Sequence, residues 1–174
     1  MKLQEQLSGM RLQGLFAVAM LATFALSGCG APDQTITAPS AERIRLGENQ
    51  NYYDFGSHVV HVNALTTNQL TSEVATAYKI RRSDKSAMLN VVLLEKSDAA
   101  ANTPAEGDVT VSASNLSGQL KSVEMREVRD GENIYYIGEA RIANQETLIF
   151  EIDVKPAGAN APLLLTYSRK FYID

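Results

Sequence analysis

Apolar residues in the C-terminal two thirds of the chain recur at every second position, and not at the 3.6-residue spacing of an amphipathic helix. Residues 147–154 show the pattern most clearly, with apolar side chains at Leu148, Phe150, Ile152 and Val154. Successive side chains of a strand point to opposite faces, so this alternation is typical of a strand with one buried face. Residues 109–114 and 163–171 repeat it. The spacing therefore predicts an all-β domain, which we place at residues 51–174.

The predicted strands are short and evenly spaced, and turn-forming residues separate them. Asp130-Gly131 lies between two strand-like runs and predicts a hairpin, because glycine adopts a positive φ at little cost. Residues 72–79 alone show helical spacing, and residues 120–128 read as one strand with a bulge near Arg126. About seven strands with this pattern predict an immunoglobulin-like antiparallel β-sandwich with one short helix.

The first 29 residues carry a different signal. Lys2 and Arg11 precede a run of fifteen mostly apolar residues, 12–26. As a helix this run would span about 22 Å, which is shorter than the hydrocarbon core of a bilayer and typical of a secretory signal peptide. Leu26-Ser27-Gly28-Cys29 follows and resembles the lipobox of bacterial lipoproteins.

That resemblance implies cleavage after residue 28 and attachment of acyl chains to Cys29, which would anchor the chain in a membrane. Residues 1–28 would then be a lipoprotein signal peptide. The residue after the cysteine is Gly30 rather than aspartate, which implies export to the periplasmic face of the outer membrane. We therefore expect a cell-envelope location and a membrane contact through the lipid on Cys29.

Residues 29–50 are predicted to be the lipidated N-terminus and a flexible tether, because they are rich in Ala, Thr, Gln, Gly and Pro and show no apolar period. One alternative stays open within this segment. Residues 43–46, Arg-Ile-Arg-Leu, also fit a short strand that packs on the domain.

Composition and charge exclude several functions. The formal net charge is −4 and no cluster of Lys and Arg is long enough to follow a phosphate backbone, so we expect no nucleic-acid partner. The chain lacks a Gly-x-Ser-x-Gly nucleophile motif and a glycine-rich phosphate loop. His58 and His61, the only histidines, would point to opposite faces of a strand and could not share one metal ion. We therefore expect a non-enzymatic protein without a metal or cofactor.

Four polar residues form a candidate site. His61 and Asn63 share one face of a predicted strand, Asn90 could join them from a neighbouring strand, and Arg82 lies near the start of that second strand. The functional interpretation is a ligand pocket between the two sheets. The structural interpretation, which we favour, is a buried polar cluster that fixes strand register.

An ordered set of short strings runs through about residues 52–174: 54–56 (Asp-Phe-Gly), 60–64 (Val-His-Val-Asn-Ala), 82–83 (Arg-Ser), 89–91 (Leu-Asn-Val), 113–116 (Ala-Ser-Asn-Leu), 134–136 (Ile-Tyr-Tyr) and 171–172 (Phe-Tyr). In this set the domain resembles a family of Gram-negative periplasmic proteins known as domain of unknown function 4426. The resemblance implies an exported β-rich domain without an established activity, and it supplies no catalytic residues.

The function we predict is that of a non-enzymatic envelope lipoprotein whose sandwich binds another envelope protein through a sheet edge or a loop end. The alternative is a small-ligand-binding periplasmic module that uses the polar cluster between the sheets. A long unprotected edge strand would favour protein binding, whereas a concave pocket with converging polar groups would favour ligand binding.

Overall fold

The computed structural model describes residues 42–47, 49–97 and 101–173, and these residues form eleven strands and two short helical segments. The helical segments are a 3-10 helix at Thr67–Gln69 and α1 at Ser72–Ala77. The strands are β1 (Ile44–Arg45), β2 (Tyr52–Asp54), β3 (His58–Thr66), β4 (Ser86–Glu95), β5 (Thr103–Pro104), β6 (Gly107–Asn115), β7 (Leu120–Lys121), β8 (Arg126–Asp130), β9 (Asn133–Arg141), β10 (Thr147–Pro156) and β11 (Leu163–Lys170).

The strands form two sheets. The first has the order β1-β11-β10-β6-β7, and the second has the order β2-β3-β4-β9-β8 with β5 beside β4. All described pairs are antiparallel except β1 with β11.

Seven strands have five residues or more: β3, β4, β6, β8, β9, β10 and β11. When these seven are numbered one to seven in chain order, strands one, two, five and four (β3, β4, β9 and β8) lie side by side in the second sheet. Strands three, six and seven (β6, β10 and β11) lie side by side in the first sheet. This is the strand order of constant-type immunoglobulin domains. The predicted sandwich of about seven strands with one short helix is therefore confirmed.

The core lies between the sheets and is built by the alternation seen in the sequence. In β10, Leu148, Phe150, Ile152 and Val154 are buried. Facing strands of the second sheet contribute Val60, Val62, Leu89 and Val91 in the same way. Each strand turns every second side chain inward, so the period of two seen in the sequence is the period of burial.

The hairpin predicted at Asp130-Gly131 joins β8 to β9. Asp130 lies opposite Asn133, so the loop has two residues, and Gly131 has a φ of 59°. Glycine tolerates this left-handed conformation because it has no Cβ.

A second, smaller apolar cluster lies on the outer face of the second sheet. The connection from β3 to β4, which contains the 3-10 helix and α1, covers it, and its buried members are Ile80, Met88 and Ile137. Thr71 caps α1 by accepting a hydrogen bond from the N–H of Val74. The predicted helix at 72–79 is thus present and ends two residues early.

Residues 120–128 do not form one bulged strand, which corrects that prediction. Leu120 and Lys121 pair with β6 in the first sheet, and β8 begins at Arg126 in the second, so the chain crosses between sheets at residues 122–125. Val123 and Met125 pack against the core during the crossing. Their burial explains the apolar residues that broke the strand pattern.

Residues 43–46 adopt the strand alternative rather than a tether. Ile44 and Arg45 pair in parallel with Leu165 and Thr166, and Leu46 is buried in the core. The Arg43 guanidinium donates to the carbonyl of Leu165 at 2.9 Å and pairs with a carboxylate of β10 at 2.6 Å. The sandwich therefore begins before residue 51. The lipobox, Cys29 and the tether up to residue 41 lie outside the described residues.

Candidate functional site

The polar cluster lies on the outer face of the second sheet, and not between the sheets as the ligand-pocket hypothesis requires. In β3 the buried side chains Val60, Val62 and Ala64 point to the core, so His61 and Asn63 point away from it. Asn63 lies directly opposite Asn90 across the β3–β4 ladder. The prediction of a cluster between the sheets, either as a pocket or as buried packing, was wrong.

The structure brings together three of the four predicted site residues. The ring of His61 stacks on that of Tyr52, with 5.4 Å between centroids. The side-chain oxygen of Asn90 is buried and has no hydrogen-bond partner among the described residues. Arg82 instead secures the β3–β4 connection, since its guanidinium donates to Ser72 Oγ at 3.1 Å and to the carbonyl of Asn68 at 2.9 Å.

The first sheet has an open edge along β6. Every residue of β6 from Gly107 to Asn115 pairs with β10 on one side. On the other side β7 pairs with Ala113 and Ser114 only, so among the described strands none borders residues 108–112 there. We call residues 108–112 the open edge. Asp108, Thr110 and Ser112 are exposed, and Val109 and Val111 are half-buried.

The backbone of the open edge presents hydrogen-bonding groups to solvent. Asn115 donates its N–H to the carbonyl of Gln119 at 3.0 Å, so the backbone groups of Asn115 face the β7 side of the strand. Successive residues of an antiparallel strand direct their backbone N–H and C=O groups to alternate sides. The groups of Val109 and Val111 therefore point to the same side as those of Asn115. These groups are what an added strand would bind.

The outermost described strands are short or charged, and beyond them three further strands keep one unbordered stretch of four residues each: 63–66 of β3, 138–141 of β9 and 167–170 of β11. β1, β2 and β7 have two or three residues each. β8 has five residues, Arg-Glu-Val-Arg-Asp, of which four are charged. Short length and charge are the devices that keep an edge from pairing with another chain. The open edge is the longest of the unbordered stretches, with five residues, and Asp108 is its single charged residue.

A rigid loop adjoins the open edge at the end of β6. The side-chain oxygen of Asn115 accepts from the N–H of Ser117 at 3.1 Å and from that of Gln119 at 3.0 Å. The loop carries Leu116, and Leu120 follows it at the start of β7; their exposed fractions are 75% and 80%. Two leucines are therefore presented to solvent on either side of a hydrogen-bonded turn.

A partly buried ion pair anchors this loop to the sandwich. Glu146 Oε1 lies 2.8 Å from Lys121 Nζ and accepts from Asn115 Nδ2 at 2.9 Å, while Oε2 accepts from the N–H of Ala143 at 2.8 Å. Burial alone would raise the pKa of the Glu146 carboxyl, but the bonds from Lys121, Asn115 and Ala143 outweigh it and lower that pKa. Glu146 is therefore a structural carboxylate that ties β6, β7 and the β9–β10 turn together.

Among the described residues, no helix is long and apolar enough to cross a membrane. Nor do three or more His, Cys, Asp or Glu side chains of the described part of the chain converge as metal ligands would.

The strand order defines an immunoglobulin-like β-sandwich domain, and the open edge is its longest unbordered strand stretch among the described residues. Residues 52–174 match the family model of DUF4426, a domain of unknown function, and the chain belongs to that family. It is similar to a DUF4426 family protein from Pseudomonas aeruginosa PAO1 whose crystal structure is known. The two are 31% identical with a TM-score of 0.61, over 71% of this chain and 94% of that one. The curated proteins include no match.

Sequence reasoning missed the open edge as a specific place. The alternation of residues 109–114 predicted a strand, but nothing in that string tells which of its two sides is paired. The signal that could have found it is the lack of charged side chains. Of residues 107–115, Asp108 alone is charged, and edge strands commonly carry more charge than this.

Proposed function

We propose that this chain is an exported lipoprotein, anchored through Cys29 at the periplasmic face of the outer membrane, whose sandwich domain is a non-enzymatic protein-interaction module. Its partner is another envelope protein, and the contact is made at the open edge. The observation that carries this proposal concerns the side of β6 that faces away from β10. On that side residues 108–112 border no described strand, and they hold a single charge.

The open edge suits an extended polypeptide better than a small molecule. Backbone donors and acceptors at Val109 and Val111 recur along the strand, and an added strand satisfies such a row with its own backbone groups. The half-buried valines face the inner side of the sheet, where an apolar partner side chain would extend the core. Affinity would come from backbone bonds and specificity from alternate side chains.

The small-ligand alternative has weaker support. His61 is half-buried, Asn63 is exposed, and both lie on an outer sheet face rather than in the space between the sheets. Ligand sites usually bury most of a ligand in a concave pocket, which a sheet's outer face does not offer to these side chains.

The anchor is tested by substitution of Cys29. Cys29→Ser should abolish labelling by a fatty-acid analogue and stop maturation at this position, because the thiol is the acceptor of the lipid. The domain should remain folded, since Cys29 precedes the described sandwich. Metabolic labelling of the full chain in bacterial cells is the measurement. Label that persists in the variant would contradict the proposed anchor.

The contact surface is tested by photo-crosslinking in intact cells. A photo-reactive residue at Thr110 should give discrete crosslinked protein products, and one at Asn63, which is also exposed but lies on the other sheet, should not. Val111→Pro should remove the products, because proline deletes the N–H that faces the open edge and leaves the β10 side of the ladder intact. Products from Asn63 alone would instead favour the polar face.

A further inference from the structure

We infer that one end of the sandwich docks on a membrane surface that carries anionic phospholipid headgroups. Three segments build this end: residues 115–121 with the β6–β7 loop and β7, residues 141–147 with the β9–β10 turn, and residues 169–173 with the last residues of β11. We call it the basic end. The inference goes beyond the proposed function, because it depends neither on Cys29 nor on the open edge.

Hydrogen bonds hold the three segments of the basic end together. Phe171 donates its N–H to the carbonyl of Glu146 at 2.8 Å, and Ile173 donates its N–H to Asn144 Oδ1 at 3.0 Å. The side chain of Glu146 in turn accepts from Asn115 at the start of the β6–β7 loop. The segments therefore lie side by side where β6, β9 and β11 finish.

Exposed apolar side chains concentrate at the basic end. Among the described residues, four large apolar side chains are exposed: Tyr52, Leu116, Leu120 and Tyr172. The last three belong to the basic end and are between 63% and 80% exposed. Large apolar side chains that are exposed together, rather than scattered singly, mark a contact with a protein or a membrane.

The charges of the basic end are one-sided. Its cations are Lys121, Arg141, Arg169 and Lys170, and its single acid, Glu146, pairs with Lys121. The other three cations are exposed and form no ion pair among the described residues; Asp174, the next residue, lies outside them. One of the three, Lys170, places Nζ 5.2 Å from the ring centre of Tyr172.

The opposite end of the sandwich has the other sign. Glu95, Asp108 and Glu132 are exposed there and belong to no ion pair of the described residues, against Lys155 as an exposed cation. An anionic surface therefore attracts the basic end and repels the opposite one, which orients the domain.

A bilayer fits the basic end better than a folded protein does. Leucine and tyrosine side chains insert at the boundary between headgroups and acyl chains, while lysine and arginine bind anionic headgroups and lay their aliphatic stems along the apolar layer. A protein interface usually needs a closely complementary patch of roughly 800 Å² on each partner. Three apolar side chains on separate segments do not make such a patch, whereas fluid lipid adapts to them.

Tryptophan fluorescence tests the docking at the site itself. The sequence contains no tryptophan, so Leu116→Trp places a single reporter at the basic end of the full chain. The purified chain is combined with vesicles of phosphatidylcholine, either alone or mixed equally with phosphatidylglycerol. With phosphatidylglycerol, the emission should shift to shorter wavelength and brominated acyl chains should quench it. With phosphatidylcholine alone, neither change should occur. The reporter responds locally, so a lipid anchor at Cys29 does not produce the signal.

Tyr52→Trp is the matched control for the reporter. Tyr52 is the exposed large apolar side chain that lies outside the basic end, so a tryptophan there should show neither the shift nor the quenching in either kind of vesicle.

The cations are tested together in the Leu116→Trp chain. Each lysine or arginine near an anionic surface raises the ratio of docked to free protein roughly five-fold. Replacement of Arg141, Arg169 and Lys170 by glutamine should therefore lower that ratio roughly 100-fold. Lys155→Gln removes an exposed cation from the opposite end and should leave the ratio unchanged. Denaturant melts show that the variants remain folded.

Quenching at residue 116 that requires phosphatidylglycerol, is absent at residue 52 and is lost with the three cations supports the inference. Absence of quenching at residue 116 overturns it, and so does equal quenching in both kinds of vesicle or at both residues. Quenching that survives the loss of the three cations also overturns it. A photo-reactive residue at Leu116 that crosslinks to a protein and not to lipid in intact cells would assign the basic end to an acidic protein instead.

Discussion

Phe150→Ala is expected to lower the free energy of unfolding by about 3–5 kcal/mol, the usual cost of removing a fully packed aromatic side chain. Phe150 is 1% exposed, lies in the central strand β10 and stacks on Tyr167 with 6.3 Å between ring centroids. The truncation removes this contact and leaves a cavity between the sheets. Denaturant melts of the wild type and the variant measure the loss, provided that the slope of the transition stays constant.

Ile149→Ala is the matched control for the core. Ile149 is the neighbouring residue of the same strand, also apolar, but it points to the outer face and is only half-buried. We expect its truncation to cost less than about 1 kcal/mol. A larger loss for Ile149 than for Phe150 would mean that β10 turns its other face to the core, and the sandwich as described would be wrong.

Glu146→Gln is expected to lower the free energy of unfolding by about 1–3 kcal/mol, because the neutral amide loses the ion pair with Lys121 and cannot replace every bond that the carboxylate accepts. The side chains of Lys121 and Glu146 are 16% and 10% exposed, and the carboxylate also holds Asn115 and the N–H of Ala143. Glu151→Gln is the control, since that carboxylate is exposed on the outer face of the first sheet and its loss should be nearly neutral.

The stabilisation of the fold by Glu146 should decrease as the pH falls. Folding lowers the pKa of this carboxyl, so the folded state favours the ionised form. The resulting stabilisation is present above the usual glutamate pKa of about 4.3 and is lost as the pH falls through the lower folded-state value. The difference in stability between wild type and Glu146→Gln should therefore shrink below about pH 4. A difference that grows on acidification would contradict the pKa direction.

The architecture could be predicted from the sequence because local period and burial coincide in strands such as β10 and in the hairpin at Gly131. The prediction failed where apolar residues served a connection. Val123 and Met125 extend the apolar pattern of a strand but cross between the sheets and pack on the core. No local pattern separates these two uses of an apolar side chain.

The position of the candidate site was predicted wrongly, for a different reason. Val60, Val62 and Ala64 alternate with His61 and Asn63, so the pattern itself placed the polar pair on the outer face, and the prediction of a cluster between the sheets went against it. By contrast, whether a strand is an edge depends on which distant segments pair with it. The openness of β6 follows from the short length of β7, a relation between two strands that neither sequence reveals alone.

The central claim is that an unoccupied strand edge is the contact surface. Residue-resolved amide hydrogen exchange along β6 tests this claim at the backbone N–H groups of the edge itself. In dilute protein the amides of Val109 and Val111 should exchange fast, because they face solvent, and that of Thr110 should exchange slowly, because it faces β10. In the membrane-anchored full chain, all three should be slow, since a partner strand then covers the edge. Slow exchange at Val109 and Val111 in the dilute protein, or fast exchange there in the anchored chain, would contradict the account.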